Sequence, residues 1–281
     1  MTNTPAPIDP PEPAIAPEDY EFIRKTVYEH SRINLGDEKE ALVAARVTKR
    51  LRALKLPDFD IYCQYLRSSK GKQELSFLIE AITTNHTHFF RESRHFDFLR
   101  EAVVPQWRAE GRNSIRVWSA AGSSGEEPYT IAIVLAETLG FEVDWRILAT
   151  DISMRMLDLA RGAIYGADRL THVRWELQRR YFQRGIGASE GLYRVKEELR
   201  RRVEFAQINL LQATYPFKTE FDLIFCRNVM IYFDRDTQQT LVHKMEPHLL
   251  SGGYLMIGHS ETLTGIRHGL TTIEPAVYRN K

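Results

Sequence analysis

One stretch constrains the fold of this chain more than any other: SIRVWSAAGSSGEEPYTIAIVLAETLG, residues 114–140. An apolar run gives way to a turn of small residues, then to a helical pattern with Pro128 in its first turn and Gly140 past its end. A buried strand that turns sharply into a helix is the opening unit of an α/β sheet. The alternation continues: DWRILATD reads as a strand, SMRMLDLARGAI as a helix, FDLIFC as a strand, DTQQTLVHKMEPHLL as a helix and GGYLMIGH as a strand. The predicted fold class is α/β, a doubly wound and mainly parallel sheet. One segment departs from the alternation. Between Arg179 and Phe205, RRYFQRGIGASEGLYRVKEELRRRVEF holds two short strand-like pieces around a glycine-containing loop, which predicts a small antiparallel insertion over about 179–206.

Upstream the period changes. Residues 17–82 carry helical patterning with no strand signal, in EDYEFIRKTVYEHSRI, EKEALVAARVTKRLRAL, FDIYCQYLRSS and KQELSFLIEAITT, and a further helix is expected near 92–109. We expect an all-helical N-terminal domain over 17–90 and the sheet domain over 91–281. Before both, the proline-rich, acidic residues 1–16 are expected to form a disordered tail. In the second helical segment Val43, Val47, Leu51 and Leu54 share one stripe. Arg46, Lys49, Arg50, Arg52 and Lys55 occupy the rest of the circumference, a cationic ridge that is either a solvated face or a partner surface.

Basic and acidic side chains nearly cancel, 38 against 37, so the overall charge points to neither nucleic acid nor a membrane surface. No apolar run approaches the roughly 20 residues of a membrane span, and the N-terminus lacks the basic and apolar regions of a signal peptide. Cys63 and Cys226 have no metal-ligand spacing. The expectation is a cytoplasmic protein with no nucleic-acid partner and no insertion into a membrane.

The turn SAAGSSGEEP falls where an α/β sheet binds ligands, at the carboxyl end of its first strand and the amino end of the next helix. With Ala120 in place of the first glycine it is a degenerate A-x-G-x-x-G, and tight strand-to-helix packing is an equal reading of it. Asp151 ends the second strand, where a carboxylate accepts hydrogen bonds from ribose hydroxyls; its structural alternative is to cap the helix beginning at Ser153. A nicotinamide dinucleotide and S-adenosylmethionine present the same ribose. Glu126 and Glu127 separate them, because negative charge where a pyrophosphate would sit suits a ligand bearing an ammonium and a sulfonium. Both acids also serve as ordinary first-turn partners of the helix dipole.

Taken in order, TTNHTHFFRE, RVWSAAGSSGEEPYTIAI, ATDIS, FDLIFCRNVMIYFD and GGYLMIGHSE resemble the chemoreceptor glutamate methyltransferases of bacterial chemotaxis, the CheR family. The matching stretches cover most of residues 80–262, and the helical N-terminal domain and small insertion match the family's architecture. The resemblance implies a methyltransferase-type sheet that takes S-adenosylmethionine and releases S-adenosylhomocysteine. It places Asn85, Thr87 and Arg91 at the cofactor, one of Glu126 and Glu127 at its methionine end, Asp151 at the ribose and Asn209 and Leu210 beside the adenine. Arg227 and Asn228 fall near the reacting methyl, with Tyr232 one turn later. Thr87 and Arg91 are expected one helical turn apart on one face, with Phe89 and Phe90 packing the segment down. His86, His88 and His95 lack a carboxylate cluster and are not read as a metal site. An Arg and an Asn leaving a buried strand need partners, and a structural hydrogen-bond network is the alternative to a ligand.

The implied reaction moves a methyl group onto a receptor glutamate carboxylate, with Arg91 and Tyr232 orienting the cofactor end and the acceptor. The implied partners are the acidic cytoplasmic helices of chemoreceptors, met by Arg46, Lys49, Arg50 and Arg52. A receptor C-terminal peptide is a further implied partner, held at the insertion by Arg184 and Arg194. Two other readings stay open: methyl transfer to a small molecule or an RNA, and a non-catalytic receptor-binding module that keeps the fold. No aromatic-interleaved basic stretch of the RNA-binding type is present.

Overall fold

A computed structural model describes residues 14–83 and 86–281. Most of the expected tail, 1–13, lies outside the described residues; within the remainder Ile15 is buried. Contacts divide the chain into two units, one ending at Thr84 and the other beginning at Asn85.

The first unit is helical: α1 Pro17–Ser31, α2 Glu40–Leu54, α3 Phe59–Arg67 and α4 Gly71–Ile82. Pro17 starts α1 where a missing N–H costs nothing, followed by Glu18 and Asp19 in its first turn. Asp58 caps α3 by accepting from the Ile61 N–H. Val43, Val47 and Leu51 are buried along α2, as their spacing requires.

The second unit opens with α5 Arg94–Phe98, a π turn Leu99–Val103 and α6 Val104–Ala109. Pro105, which has no N–H to donate, follows the widened turn. Then come β1 Ser114–Ser119, α7 Glu126–Leu139, β2 Asp144–Asp151, α8 Met154–Gly162, β3 Ile164–Gly166, α9 Trp175–Tyr181, β4 Phe182–Arg184, β5 Leu192–Val195, α10 Glu197–Arg200, β6 Val203–Gln207, β7 Phe221–Cys226, α11 Arg235–Met245, β8 Leu249–Ile257, β9 Thr271–Glu274 and β10 Val277–Arg279.

The main sheet has strand order β6-β2-β1-β7-β8-β10-β9. Its first five strands are parallel, with Val117 opposite Ile147 on one side and Leu223 on the other; β10 and β9 close the edge antiparallel. Every residue of β7 is buried, as a strand covered on both faces must be. Val117, Ile147, Leu223 and Phe225 pack with Ile131 and Leu135 of α7, whereas Trp118, Ile224 and Leu255 pack with Leu241 and Val242 of α11.

The insertion differs from its expected bounds. The small sheet is three-stranded, ordered β3-β5-β4, and its first strand comes from the end of the segment read as a helix through Ile164. Ala163, at φ 53°, stops α8 and releases Ile164 into the strand. At the other end Val203–Gln207 belongs to the main sheet, running parallel to β2 from Ile147 opposite Val203. The two C-terminal strands are short and polar in part, and their pattern carries no strand signal strong enough to read.

Arg50 departs from the expected ridge. Its Nε and Nη2 each donate to the buried Glu74 carboxylate at 2.8 Å, and the Tyr62 hydroxyl donates to the same group at 2.9 Å. Burial and the neighbouring carboxylate push the Tyr62 phenol well above its usual range, so it stays a donor. The guanidinium also lies 4.8 Å from the Phe77 ring centroid. Arg50 is thus a structural brace of α2 on α4, whereas Lys49, Arg52 and Lys55 are exposed and Arg46 is half-buried. Removing one partner of a buried pair strands the other, at a cost of roughly 3–5 kcal/mol. Glu74→Ala should destabilise the helical unit by about that amount in denaturant titration, while Lys49→Ala should stay within about 0.5 kcal/mol.

Candidate active site at the carboxyl edge of the sheet

The turn after β1 is held from several sides. The Gly122 N–H donates to the Thr150 carbonyl at 2.8 Å, and the Ser123 N–H donates to Asp151 Oδ2 at 2.9 Å. Asp151 Oδ1 accepts from the Ser153 N–H at 2.9 Å, while Ser153 itself caps α8 by accepting from the Met156 N–H. Asp151 therefore ties the small-residue loop to the start of α8 without being the cap. Gly125 precedes α7 at φ 99°, and a Cβ there would lie 2.6 Å from the Tyr165 hydroxyl, so glycine is required for both reasons. Ser123 Oγ is buried in this loop with no hydrogen-bond partner among the described residues.

The two glutamates point to different neighbours. Glu126 is fully buried; Ser124 Oγ donates to its Oε2 at 2.6 Å and Arg169 Nη2 lies 2.8 Å from its Oε1. Glu127 is partly buried, taking Ser119 Oγ at 2.7 Å and Arg227 Nη1 at 2.9 Å. Burial raises both carboxyls above their usual range, against the opposing pull of these hydroxyls and arginines.

Arg227 leaves β7 into a set of acceptors. Besides Glu127 it donates to the Arg91 carbonyl at 2.6 Å and to Glu92 Oε2 at 3.0 Å, and its guanidinium carbon lies 5.4 Å from the Phe96 ring centroid. Asn228, at φ 56°, gives its side-chain amide to Glu92 Oε1 and its backbone N–H to Glu261 Oε2, both at 3.0 Å. Glu261 also accepts from the Gly258 and Ile231 N–H groups. The Arg and Asn that needed partners thus have carboxylate partners. Burial raises the Glu92 carboxyl, but the Asn228 and Arg227 donors outweigh it and hold the group down to about 2.

The segment before this network is not helical. Residues 86–93 run through turns with Phe90 at φ 58° and Glu92 at φ 55°, so Thr87 and Arg91 do not stack as one helical turn. Phe89 is buried edge-on against Tyr165 and Phe182, and Phe90 packs against Phe96, as expected of the two rings. Thr87 is buried, and Arg91 Nη1 donates to the His86 carbonyl at 2.6 Å. Asn85 lies outside the described residues.

At the neighbouring strand ends, Ile208 N–H donates to the Asp151 carbonyl, Asn209 Oδ1 accepts from the Leu211 N–H, and Leu210 is buried. Tyr232 ends the 3₁₀ turn Met230–Tyr232, half-buried. Asp151, Asn209, Leu210, Glu126, Glu127, Arg227, Asn228 and Tyr232 are therefore gathered at or just beyond the carboxyl ends of β1, β2, β6 and β7. Arg184 and Arg194 are exposed on β4 and β5. Arg194 is registered with Gln183, the residue before Arg184, so the two arginines project from opposite faces.

Sequence reasoning missed Glu92, Arg169 and Glu261. Glu92 and Glu261 end the stretches TTNHTHFFRE and GGYLMIGHSE, so both were in view without a role; Arg169 sits in an unpatterned turn and gave no signal. Glu92, His95 and His259 bring ligand atoms within 4.8 Å of one another. The Arg227 guanidinium already occupies the Glu92 oxygen nearest His95, and a metal there would meet that charge head-on.

Residues 85–278 match the family model described as CheR methyltransferase, SAM binding domain, and residues 18–83 the one described as CheR methyltransferase, all-alpha domain. The chain is 42% identical to a chemotaxis protein methyltransferase of Borreliella burgdorferi, over 94% of this chain and 95% of that one. It is 42% identical to chemotaxis protein methyltransferase 2 of Pseudomonas aeruginosa, over 99% and 98%. To the chemotaxis protein methyltransferase of Escherichia coli it is 41% identical, over 94% and 91%.

The network makes stability depend on pH. Burial, reinforced by Arg227 and His259, pushes the His95 imidazole down to about 3, so it is neutral in the folded chain. An unfolded histidine protonates near 6.5. As pH falls below that value the unfolded chain binds the extra proton, and stability declines towards about 3; the contribution of Glu92 is lost later, from about 4.5 down to about 2. Between roughly pH 6.5 and 5, His95 should contribute a slope of up to about 1.4 kcal/mol per pH unit. His95→Gln should flatten denaturation-derived stability over that window; an unchanged slope refutes the assignment.

Proposed function

The chain belongs to the CheR family of chemotaxis protein methyltransferases, and on that premise we propose that it methylates glutamate side chains on the cytoplasmic helices of chemoreceptors. The observation that carries this reading is the pair of acids at the sheet's carboxyl edge: Glu126 buried at the head of α7 and Asp151 at the end of β2, holding the Ser123 N–H of the small-residue loop. An ammonium-bearing adenosyl ligand suits that set of acceptors. A pyrophosphate does not.

Bound there, S-adenosylmethionine supplies a methyl group made electrophilic by its sulfonium sulfur. Glu126 takes the cationic amino end, Asp151 the ribose hydroxyls, and Asn209 with Leu210 the adenine. Asn85, Thr87 and Arg91 complete the enclosure. Arg227 acts one step removed: clamped by Glu127 and Glu92, it fixes the segment that carries Arg91 against the segment that carries Asn228. A glutamate with its ordinary pKa of about 4.3 is already an anion at neutral pH, so the site needs no general base. Its work is placement and removal of water from the carboxylate, in which Arg91 and Tyr232 orient the cofactor end and the acceptor.

Two surfaces fit receptor contacts. Arg46 and Lys49 on α2 suit an acidic helical bundle, with Arg50 excluded by its bond to Glu74. In the small sheet β4 pairs only with β5 among the described residues, which leaves an edge for an added peptide strand. A strand laid there would have Arg184 and Arg194 on its two sides. Such substrates place the enzyme in the cytoplasm, in accord with the absence, among the described residues, of any helix long and apolar enough to cross a membrane.

Incubation with labelled S-adenosylmethionine and receptor-containing membranes should give base-labile label on receptor glutamates. Tyr232→Phe should lower kcat at least about tenfold, the effect of roughly 1.4 kcal/mol, with cofactor affinity retained. Cofactor binding without any label would favour a non-catalytic module, and label on RNA or a small molecule would overturn the substrate assignment. Raising ionic strength from roughly 0.05 to roughly 0.5 M, or changing Arg46 and Lys49 to Glu, should slow receptor methylation. Equal rates throughout would remove the electrostatic role of α2.

A further inference from the structure

Of the two arginines that balance the acids at the head of α7, one is closed off and one is open. Arg227 is 1% exposed and divided among three acceptors. Arg169 is 37% exposed while its partner Glu126 is fully buried, so the carboxylate lies inside and the guanidinium reaches solvent. Arg169 stands on the 3₁₀ turn Ala167–Leu170, directly after β3. Its Nη2 is 2.8 Å from Glu126 Oε1 and 3.3 Å from Ser124 Oγ, and its Nη1 is 3.4 Å from the Thr87 carbonyl. The strand that leads to it is pinned to the same loop, because the Tyr165 hydroxyl donates to the Ser124 carbonyl at 2.8 Å. A guanidinium offers five N–H donors in a fork that matches a carboxylate, and these contacts leave donors over.

The amino-acid end of the cofactor is a zwitterion. A zwitterion is best met by the same two charges reversed, so that each of four charges has an opposite neighbour. Glu126 alone answers only the ammonium. Glu126 and Arg169 together answer both groups.

Resting on the cofactor assignment above, we propose that Arg169 binds the α-carboxylate of the cofactor while Glu126 binds its α-ammonium, so that the ion pair selects ligands with a complete amino-acid end. The proposal separates two tasks at the site: the buried acid provides attraction for the cation, and the exposed guanidinium provides discrimination.

The test compares S-adenosylhomocysteine with its decarboxylated counterpart, S-adenosyl-3-thiopropylamine, by calorimetry on the full chain. Wild type should prefer S-adenosylhomocysteine by at least about tenfold. Arg169→Met should lose most of that preference, bringing the two ligands within about twofold, through weaker binding of S-adenosylhomocysteine alone. Arg169→Lys, which keeps the charge and gives up the fork, should recover part of the preference. Arg169→Lys also serves as the reporter if the methionine variant fails to fold. A preference unchanged in both variants overturns the role of Arg169 and leaves the cofactor reading intact, as does equal weakening of both ligands, the result expected if Arg169 only steadies Glu126. Failure of wild type to bind either ligand overturns the cofactor reading as well.

Discussion

The Arg227 guanidinium between Glu127 and Glu92 is the interaction on which the rest of the site depends. It joins three parts of the second unit that are far apart in sequence: the head of α7, the segment ending at Glu92, and the exit of β7. A buried cation with two carboxylate partners is costly to assemble and far costlier to break, since losing one member leaves the others charged and dry. An apolar replacement of equal volume would hold the core but leave the Asn228 amide without its acceptor, Glu92. The network therefore does a job of position. It ties Glu92, at φ 55° in a left-handed conformation costly for a glutamate, to Asn228 at φ 56°.

Around that clamp the acids divide the labour. Asp151 orders the N–H groups of Ser123 in the small-residue turn and of Ser153 before α8, Glu127 anchors Arg227, and Glu126 is left with a hydroxyl and a partly exposed arginine. Adjacent glutamates on a helix point about 100° apart, and this is why two consecutive identical residues serve separate ends. The dipole of α7 stabilises both, which eases the cost of burying them.

What the sequence disclosed was governed by range. The alternation of strand and helix was legible because β1, β2, β7 and β8 are largely buried and read as apolar runs of the right length. The strands β3, β4 and β5 span only three or four residues, too few for a period to register, so the small sheet was placed too late and carried too far. Arg50 was grouped with its α2 neighbours because its partner, Glu74, lies on another helix and is invisible to any local pattern. The helical pairing assumed for Thr87 and Arg91 failed for a related reason: the positive φ values at Phe90 and Glu92 are imposed by contacts across the fold. Glu126, Glu127 and Asp151 could be placed at the carboxyl edge from sequence because their position relative to a strand end carries the information.

An enzyme proposed to esterify glutamates also has to spare its own. The five carboxylates at its site all have partners: Glu92 has Arg227 and Asn228, Glu126 has Ser124 and Arg169, Glu127 has Ser119 and Arg227, Asp151 has the Ser123 and Ser153 N–H groups, and Glu261 has three backbone N–H groups. A carboxylate whose lone pairs are committed to charged or buried donors is a poorer nucleophile than one brought in and stripped of water. The same hydrogen bonds that position the frame thus keep its acids from competing with the substrate. Among the described residues of the site, preference for an incoming carboxylate is favoured by a setting in which the resident carboxylates already have charged or hydrogen-bonding neighbours.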